Sequence, residues 1–158
     1  MSELSHVSPE GEARMVDVSQ KETTNRVATA SGVIRMKRET LAAIQGNSLE
    51  KGDVISVAKV AGVMAAKRTA ELIPLCHPLP LTDVQVSITP DESIPGLRCE
   101  ATARTVGRTG VEMEAITAVA ITLVTVYDMA KAIDREMAIT DLCLLEKTGG
   151  RSGHWKRR

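Results

Sequence analysis

The segment KRTAELIPLCHPL places Cys76 and His77 in a proline-bounded turn after a helical run. Reactive side chains concentrate in loops held between rigid elements, and an imidazole titrates near neutral pH. His77 could therefore act as an acid, as a base or as a hydrogen-bond donor to phosphate. A hydrogen-bonded structural histidine is the more common alternative. The segment alone does not decide between the two.

Two lysines stand beside polar turns or carboxylates. Lys51 lies in the turn EKGD, and Lys131 follows Asp128 by three positions on one helix face in YDMAKA. Lys131 has apolar neighbours, and a partly desolvated lysine can have a lowered pKa and act as a base or an acid. The alternatives are a solvated lysine and a surface ion pair.

The segment GVEMEA carries two carboxylates, Glu112 and Glu114, two positions apart. On a regular helix they point to opposite sides, so a shared role requires an irregular helix start. Compensation of the helix dipole in the first turn is the alternative. Glu114 and Asp128 are fourteen residues apart, which is about 21 Å along one helix. If both act on a substrate, they serve different sites or one site completed by a second subunit.

The tail EKTGGRSGHWK combines Lys147, Arg151 and Lys156 with glycines whose amides can approach phosphate oxygens. Its spacing is not that of a Walker loop, so a P-loop nucleotidase is not indicated. A disordered basic tail is the alternative to phosphate binding.

The elements that position these residues follow from hydrophobic period and capping signals. We predict strands over 27–36, 84–89, 97–105 and 137–147, and a short helix that ends at Gly46. One long helix begins after Asp53 and runs to about Leu72, before Pro74. A second opens at Thr109 or Gly110. This order predicts an α+β, ferredoxin-like (βαββαβ) antiparallel sheet with helices on one face, plus the extra short helix.

Composition limits the function classes. The 158 residues are 43% hydrophobic with a formal net charge of zero, so one domain over 1–158 is expected, without the basic field used to bind nucleic acid or anionic membranes. An aromatic content of 1% argues against base stacking. Residues 1–20 and 148–158 are expected to be flexible arms. Very apolar helices predict a homo-oligomer.

The cysteines Cys76, Cys99 and Cys143 are odd in number and widely spaced, which is typical of free thiols in a reducing compartment. The N-terminus lacks the apolar stretch of a signal peptide. The most apolar run, 115–127, is shorter than the roughly 20 residues of a membrane span. We therefore expect an intracellular protein and read that run as a buried helix.

Five segments stand in the order and spacing of the cyclic pyranopterin monophosphate synthase accessory proteins of molybdenum cofactor biosynthesis, the MoaC family. They are GEARMVDVSQK, EKGDVISVAKVAGVMAAKRTAELIPLCHPL, RTGVEMEAITA, VYDMAKA and KTGGRSG. The chain resembles this family over almost its whole length. The resemblance implies a lyase that converts cyclised dihydro-GTP, delivered by a radical SAM GTP cyclase, into cyclic pyranopterin monophosphate and diphosphate. It also implies a cytoplasmic homohexamer, a trimer of dimers with active sites at a subunit interface.

Transferred by motif, the resemblance implies that Asp128, Lys51 and Lys131 are catalytic. The substrate-binding positions it implies are Leu75, Cys76, His77, Lys67, Glu112, Met113 and Glu114, with Arg26, Lys147 and Arg151 expected at the triphosphate. No protein-bound cofactor or metal is implied, although Mg²⁺ could accompany the triphosphate. Ala130 stands where many relatives carry cysteine, and Arg151 where lysine is frequent.

Two rival interpretations remain at this point. Ferredoxin-like oligomers also serve as noncatalytic ligand-binding or regulatory modules, and fold alone cannot exclude such a role. A metalloenzyme would use Cys76, His77 and Asp83 as ligands, but adjacent Cys76 and His77 would be cramped on one metal.

Overall fold

A computed structural model describes residues 7–8 and 10–158. Its elements, in chain order, are β1 Thr24–Arg35, α1 Arg38–Gln45, α2 Val54–Lys67, α3 Thr69–Leu72, β2 Leu81–Asp91, β3 Gly96–Gly107, α4 Glu112–Ala130, β4 Ala138–Thr148 and β5 Trp155–Lys156. The five strands form one antiparallel sheet in the order β2-β3-β1-β4-β5. Strands β1 to β4 lie side by side in the order of a ferredoxin-like sheet, so the predicted fold class is confirmed.

Strand β3 shows how one face of the sheet packs against the helices. Alternate residues Leu97, Cys99, Ala101 and Ala103 are buried, while the residues between them are exposed or half-buried. This period of two places one face of β3 against α4 and the other toward solvent, while α2 packs on the neighbouring strand β2. The small side chains on the buried face let the helices lie close to the sheet.

Helix α4 is the centre of the core. Ten of its 19 residues are buried, and Ala118, Val119, Leu123 and Val126 are fully enclosed. By length and composition alone it could cross a membrane, but more than half of its most apolar window is packed inside the fold. It begins at Glu112, later than predicted, because Val111 has a non-helical backbone at φ −112° and ψ 24°.

Helix α2 packs beside α4 and begins as predicted. The Asp53 carboxylate caps it by accepting from the Ser56 amide at 3.0 Å. Gly62 marks the close approach of the two helices, since a Cβ there would lie 2.1 Å from Thr122 Oγ1 and 3.1 Å from the Ala118 carbonyl oxygen. The predicted close packing of small residues on this helix is therefore present.

The prediction of one uninterrupted helix to Leu72 was wrong. Arg68 leaves the helical conformation, at φ −114° and ψ 14°, and separates α2 from α3. The Thr69 hydroxyl donates to the carbonyls of Ala65 and Ala66, at 3.2 and 3.0 Å, and so competes with the regular helical bonds at this point.

The C-terminal tail contains regular structure that its composition did not predict. Trp155 and Lys156 form β5, which pairs with Lys147 and Glu146 of β4. Near the other terminus, Val7 and Ala13 form an isolated antiparallel bridge. The predicted N-terminal arm lies partly outside the described residues, and flexibility of both arms stays a prediction.

Candidate active site

A compact group of charged side chains lies at the C-terminal end of α4. Lys51 Nζ donates to Asp128 Oδ2 at 2.8 Å and to the Asp128 carbonyl oxygen at 3.0 Å. Lys131 Nζ donates to the other carboxylate oxygen, Oδ1, at 2.6 Å. One carboxylate thus holds two ammonium groups. We call Lys51, Asp128 and Lys131 the lysine–aspartate cluster.

Local structure explains why Lys51 and Lys131 both reach Asp128. Lys51 lies in the turn between α1 and α2, where Gly52 takes the left-handed backbone at φ 85° that glycine adopts readily. The N-terminus of α2 follows at once, and α2 packs along α4, so this turn meets the far end of α4. Lys131 is the C-terminal capping residue of α4, which leaves its side chain beside Asp128 three positions earlier.

The two lysines keep Asp128 ionised. Hydrogen bonds from Lys131 and then Lys51, with the charges of both lysines, lower the pKa of Asp128 to about 2. About half of each of the three side chains is exposed, so the ion pairs stabilise the fold little. The cluster opens into a cleft of about 360 Å³, also lined by Tyr127, Ala132 and Arg135.

A second cleft, of about 670 Å³, lies at the N-terminal end of α4. We call it the basic cleft. Lys147 Nζ donates to Glu112 Oε1 at 2.7 Å across it, and the Arg26 guanidinium donates to the carbonyls of Gly107 and Arg108, each at 3.2 Å. Its lining residues are Gln20, Lys21, Glu22, Thr24, Arg26, Thr109, Gly110, Glu112, Lys147, Gly150, Arg151 and Ser152.

Two glycines of the tail shape the basic cleft. Gly149 and Gly150 have left-handed backbones, with φ of 100° and 71°. A Cβ on Gly150 would lie 2.1 Å from an Arg26 nitrogen, and one on Gly149 would lie 2.2 Å from the Asn25 carbonyl oxygen. Only glycine lets this backbone lie directly against the Arg26 guanidinium, so the tail forms one wall of the cleft.

Glu114 is buried beside Cys76. The side chain is 4% exposed, and burial is the main reason why its pKa is raised to about 7. Burial also raises the pKa of the Cys76 thiol, and the nearby charge of Glu114 raises it further. Cys76 is therefore a protonated, weakly nucleophilic thiol at neutral pH. His77 Nε2 lies 2.7 Å from the Val16 carbonyl oxygen, which fits a donated hydrogen bond.

The buried carboxyl predicts an unusual pH dependence of stability. Between about pH 4.5 and 7, folded Glu114 keeps a proton that the unfolded chain has lost, so the free energy of unfolding falls as pH rises. Glu114→Gln removes this effect and is expected to stabilise the protein by about 2–3 kcal/mol at pH 8, but little at pH 4.5. Denaturant unfolding at both pH values measures the difference. Exposed Glu100→Gln is the control, and an equal gain at both pH values would contradict the buried carboxyl.

The structure thus brings seven of the predicted site residues into the two clefts at opposite ends of α4, whereas Cys76, His77 and Glu114 line neither cleft. Glu112 and Glu114 face different surroundings, as expected of a regular helix. Leu75 and Met113 are half-buried, and Lys67 is exposed at the end of α2; none of the three lines either cleft. Lys21 and Arg135 were missed. Arg135 lies in a polar turn after the end of α4, so no helical spacing pointed to it.

The metalloenzyme alternative receives no support from side-chain placement. Within 7–8 and 10–158, no three His, Cys, Asp or Glu side chains come together in a way that could hold a metal ion. Asp83, the third proposed ligand, instead contacts Arg104 at 3.6 Å and accepts from Gln85 at 2.9 Å.

Fold and clefts together define a ferredoxin-like α+β protein with cation-lined clefts at both ends of its central helix, a type of site that suits a phosphorylated small molecule. The model of the MoaC family matches residues 15–150, and the chain belongs to this family. The predicted family is thereby confirmed.

Curated relatives match over nearly their whole length, and each is named cyclic pyranopterin monophosphate synthase. A relative from Dinoroseobacter shibae is 56% identical over 156 residues, which cover 99% of each chain. One from Brucella ovis is 59% identical over 152 residues, 96% of this chain and 92% of the relative. One from Thermomicrobium roseum is 57% identical over 157 residues, 99% of this chain and 95% of the relative.

Proposed function

We propose that this chain is a cyclic pyranopterin monophosphate synthase, a lyase of molybdenum cofactor biosynthesis. It converts cyclised dihydro-GTP to cyclic pyranopterin monophosphate and releases diphosphate. The observation that carries the proposal is the lysine–aspartate cluster in its open cleft. The names of the curated relatives support the same activity.

The reaction opens a ring, recloses it to a pterin and joins a ribose hydroxyl to the α-phosphate. Each step needs proton transfer or neutralisation of developing negative charge. In the proposal, Lys51 and Lys131 supply both. Asp128, with a pKa of about 2, is a weak base at neutral pH, so its role is to orient the two ammonium groups.

The basic cleft receives the phosphates that leave. Arg26, Lys147 and Arg151 carry three positive charges, which suit the diphosphate portion of a triphosphate. Lys147 is paired with Glu112 in the free protein, so binding exchanges that carboxylate for phosphate oxygens. Mg²⁺ bound to the triphosphate is part of the proposal, with the phosphates as its main ligands.

A second subunit completes the site in this proposal. The two clefts lie at opposite ends of a 19-residue helix, too far apart for one small substrate to span. Val57, Val60 and Met64 leave one face of α2 apolar and exposed, and Val124 does the same on α4. An apolar surface of this kind suits subunit contact. We propose a homohexamer built as a trimer of dimers.

A cellular setting is part of the proposal. The substrate would come from a radical SAM GTP cyclase, and no nucleic acid or membrane takes part. We propose a cytoplasmic location, which suits the three cysteines that are free in the structure.

Turnover of purified cyclised dihydro-GTP tests the function. Wild type should form pyranopterin and diphosphate, and Lys51→Ala should form neither. Lys131→Arg keeps the charge but cannot release a proton at neutral pH, so it should also lose turnover if Lys131 transfers a proton. Retained turnover in Lys131→Arg would contradict the acid-base role. Binding without product in wild type would instead favour a noncatalytic module.

A further inference from the structure

Arg135 lies on the wall of the cleft that contains the lysine–aspartate cluster. It was not predicted as a site residue and has no role in the chemistry proposed above. Its guanidinium has no ion-pair or hydrogen-bond partner within the part of the chain that the structure describes, whereas Lys51 and Lys131 both bond to Asp128. Arg135 is therefore the cation of this cleft that an incoming anion can pair with directly.

The backbone of Arg135 is held firmly in place. The Tyr127 hydroxyl donates to its carbonyl oxygen at 3.1 Å. The preceding residue, Asp134, is 2% exposed and accepts from the Lys37 amide at 2.9 Å, the Thr40 hydroxyl at 3.1 Å and the Glu136 amide at 3.1 Å. A guanidinium presented from such an anchored turn loses less conformational freedom on binding than one on a mobile loop.

The charges of the cleft favour an anionic ligand. Three cations, Lys51, Lys131 and Arg135, face the single carboxylate of Asp128, which leaves two positive charges uncompensated. A guanidinium offers paired N–H groups that match two oxygens of one phosphate. We propose that Arg135 binds a phosphate group of the substrate in the cleft of the lysine–aspartate cluster. The identity of that substrate rests on the function proposed above.

The test compares Arg135→Gln, Arg135→Lys and, as a matched control, Arg98→Gln. Arg98 is a half-exposed arginine that pairs with Asp91 at 3.1 Å and lines neither cleft. We expect Arg135→Gln to lower kcat/KM for cyclised dihydro-GTP by about tenfold or more, the usual effect of losing a charged hydrogen bond. Arg135→Lys should keep part of the activity, and Arg98→Gln should match wild type.

Calorimetric titration with inorganic phosphate tests Arg135 without turnover, so failure of the proposed reaction would not obscure the result. The titration uses an Arg26→Gln background, because the basic cleft also attracts phosphate. Weaker binding after adding Arg135→Gln, but not after adding Arg98→Gln, would support the proposal. The proposal would be overturned if the Arg26→Gln background does not bind phosphate. It would also be overturned if adding Arg135→Gln leaves binding unchanged, or if adding Arg98→Gln weakens it equally.

Discussion

Asp128→Asn is expected to lower kcat by about 10²–10³-fold, the usual loss when one preorganised charged group is removed from an active site. Asparagine has the same shape as aspartate but no charge, so the cleft would keep its form. Lys51 and Lys131 would lose the carboxylate charge that binds both of them, at 2.8 and 2.6 Å, and Lys51 would keep its bond to the backbone carbonyl oxygen of residue 128.

Steady-state kinetics of the Asn variant measures this loss, and Asp91→Asn is the matched control. Asp91 also accepts from a basic side chain, Arg98, at 3.1 Å, but it lines neither cleft. The melting temperature of Asp128→Asn should stay close to that of wild type, since half-exposed ion pairs contribute little to stability. A kcat within threefold of wild type would contradict an orienting role for Asp128.

Mixing two inactive variants is expected to restore about a quarter of wild-type turnover per subunit. One variant is Lys51→Ala, in the lysine–aspartate cluster, and the other is Lys147→Ala, in the basic cleft. If each active site takes one cleft from each partner of a dimer, a mixed dimer has one intact site and one doubly damaged site. Random pairing makes about half of the dimers mixed, which gives the expected fraction.

The control mixture combines Lys51→Ala with Lys131→Ala. Both residues belong to the same cluster, so each site of a mixed dimer keeps one defect and turnover should stay absent. Coexpression with two different affinity tags allows mixed assemblies to be isolated and assayed. No restoration by Lys51→Ala with Lys147→Ala in verified mixed assemblies would show that one subunit holds a complete site.

The sequence predicted most of the fold because its elements carry local signals. Asp53 caps α2 as expected, and the hairpin of β2 and β3 follows from alternating residues. The break at Arg68 was missed, because the residues around it are good helix formers and only the Thr69 hydroxyl bonds disfavour a continuous helix. The strand at Trp155 was also missed, because glycines separate it from β4 and leave no periodic pattern.

The site was predictable only where partners lie close in sequence. Lys131 and Asp128 are three residues apart, so their ion pair followed from helix geometry. Lys51 and Asp128 are 77 residues apart and Lys147 and Glu112 are 35 apart, so both contacts depend on tertiary packing. Arg135 gave no signal because an exposed arginine in a polar turn is typical of a solvated surface.

The irregular course of β4 has a consequence for how the protein avoids aggregation. Its register with β1 shifts twice, and Asp141 takes a left-handed backbone at φ 57° beside the second shift. Among the described residues, the outer side of this strand is covered only near its C-terminal end, where Glu146 and Lys147 pair with β5 and the Leu145 carbonyl oxygen accepts from the Arg157 amide at 2.7 Å. A straight, open strand would invite another chain to add to the sheet, but a bulged one presents its amides out of line. The kink at Asp141 therefore disfavours the addition of another strand at this edge of the sheet, and it does so through backbone shape and not through particular side chains.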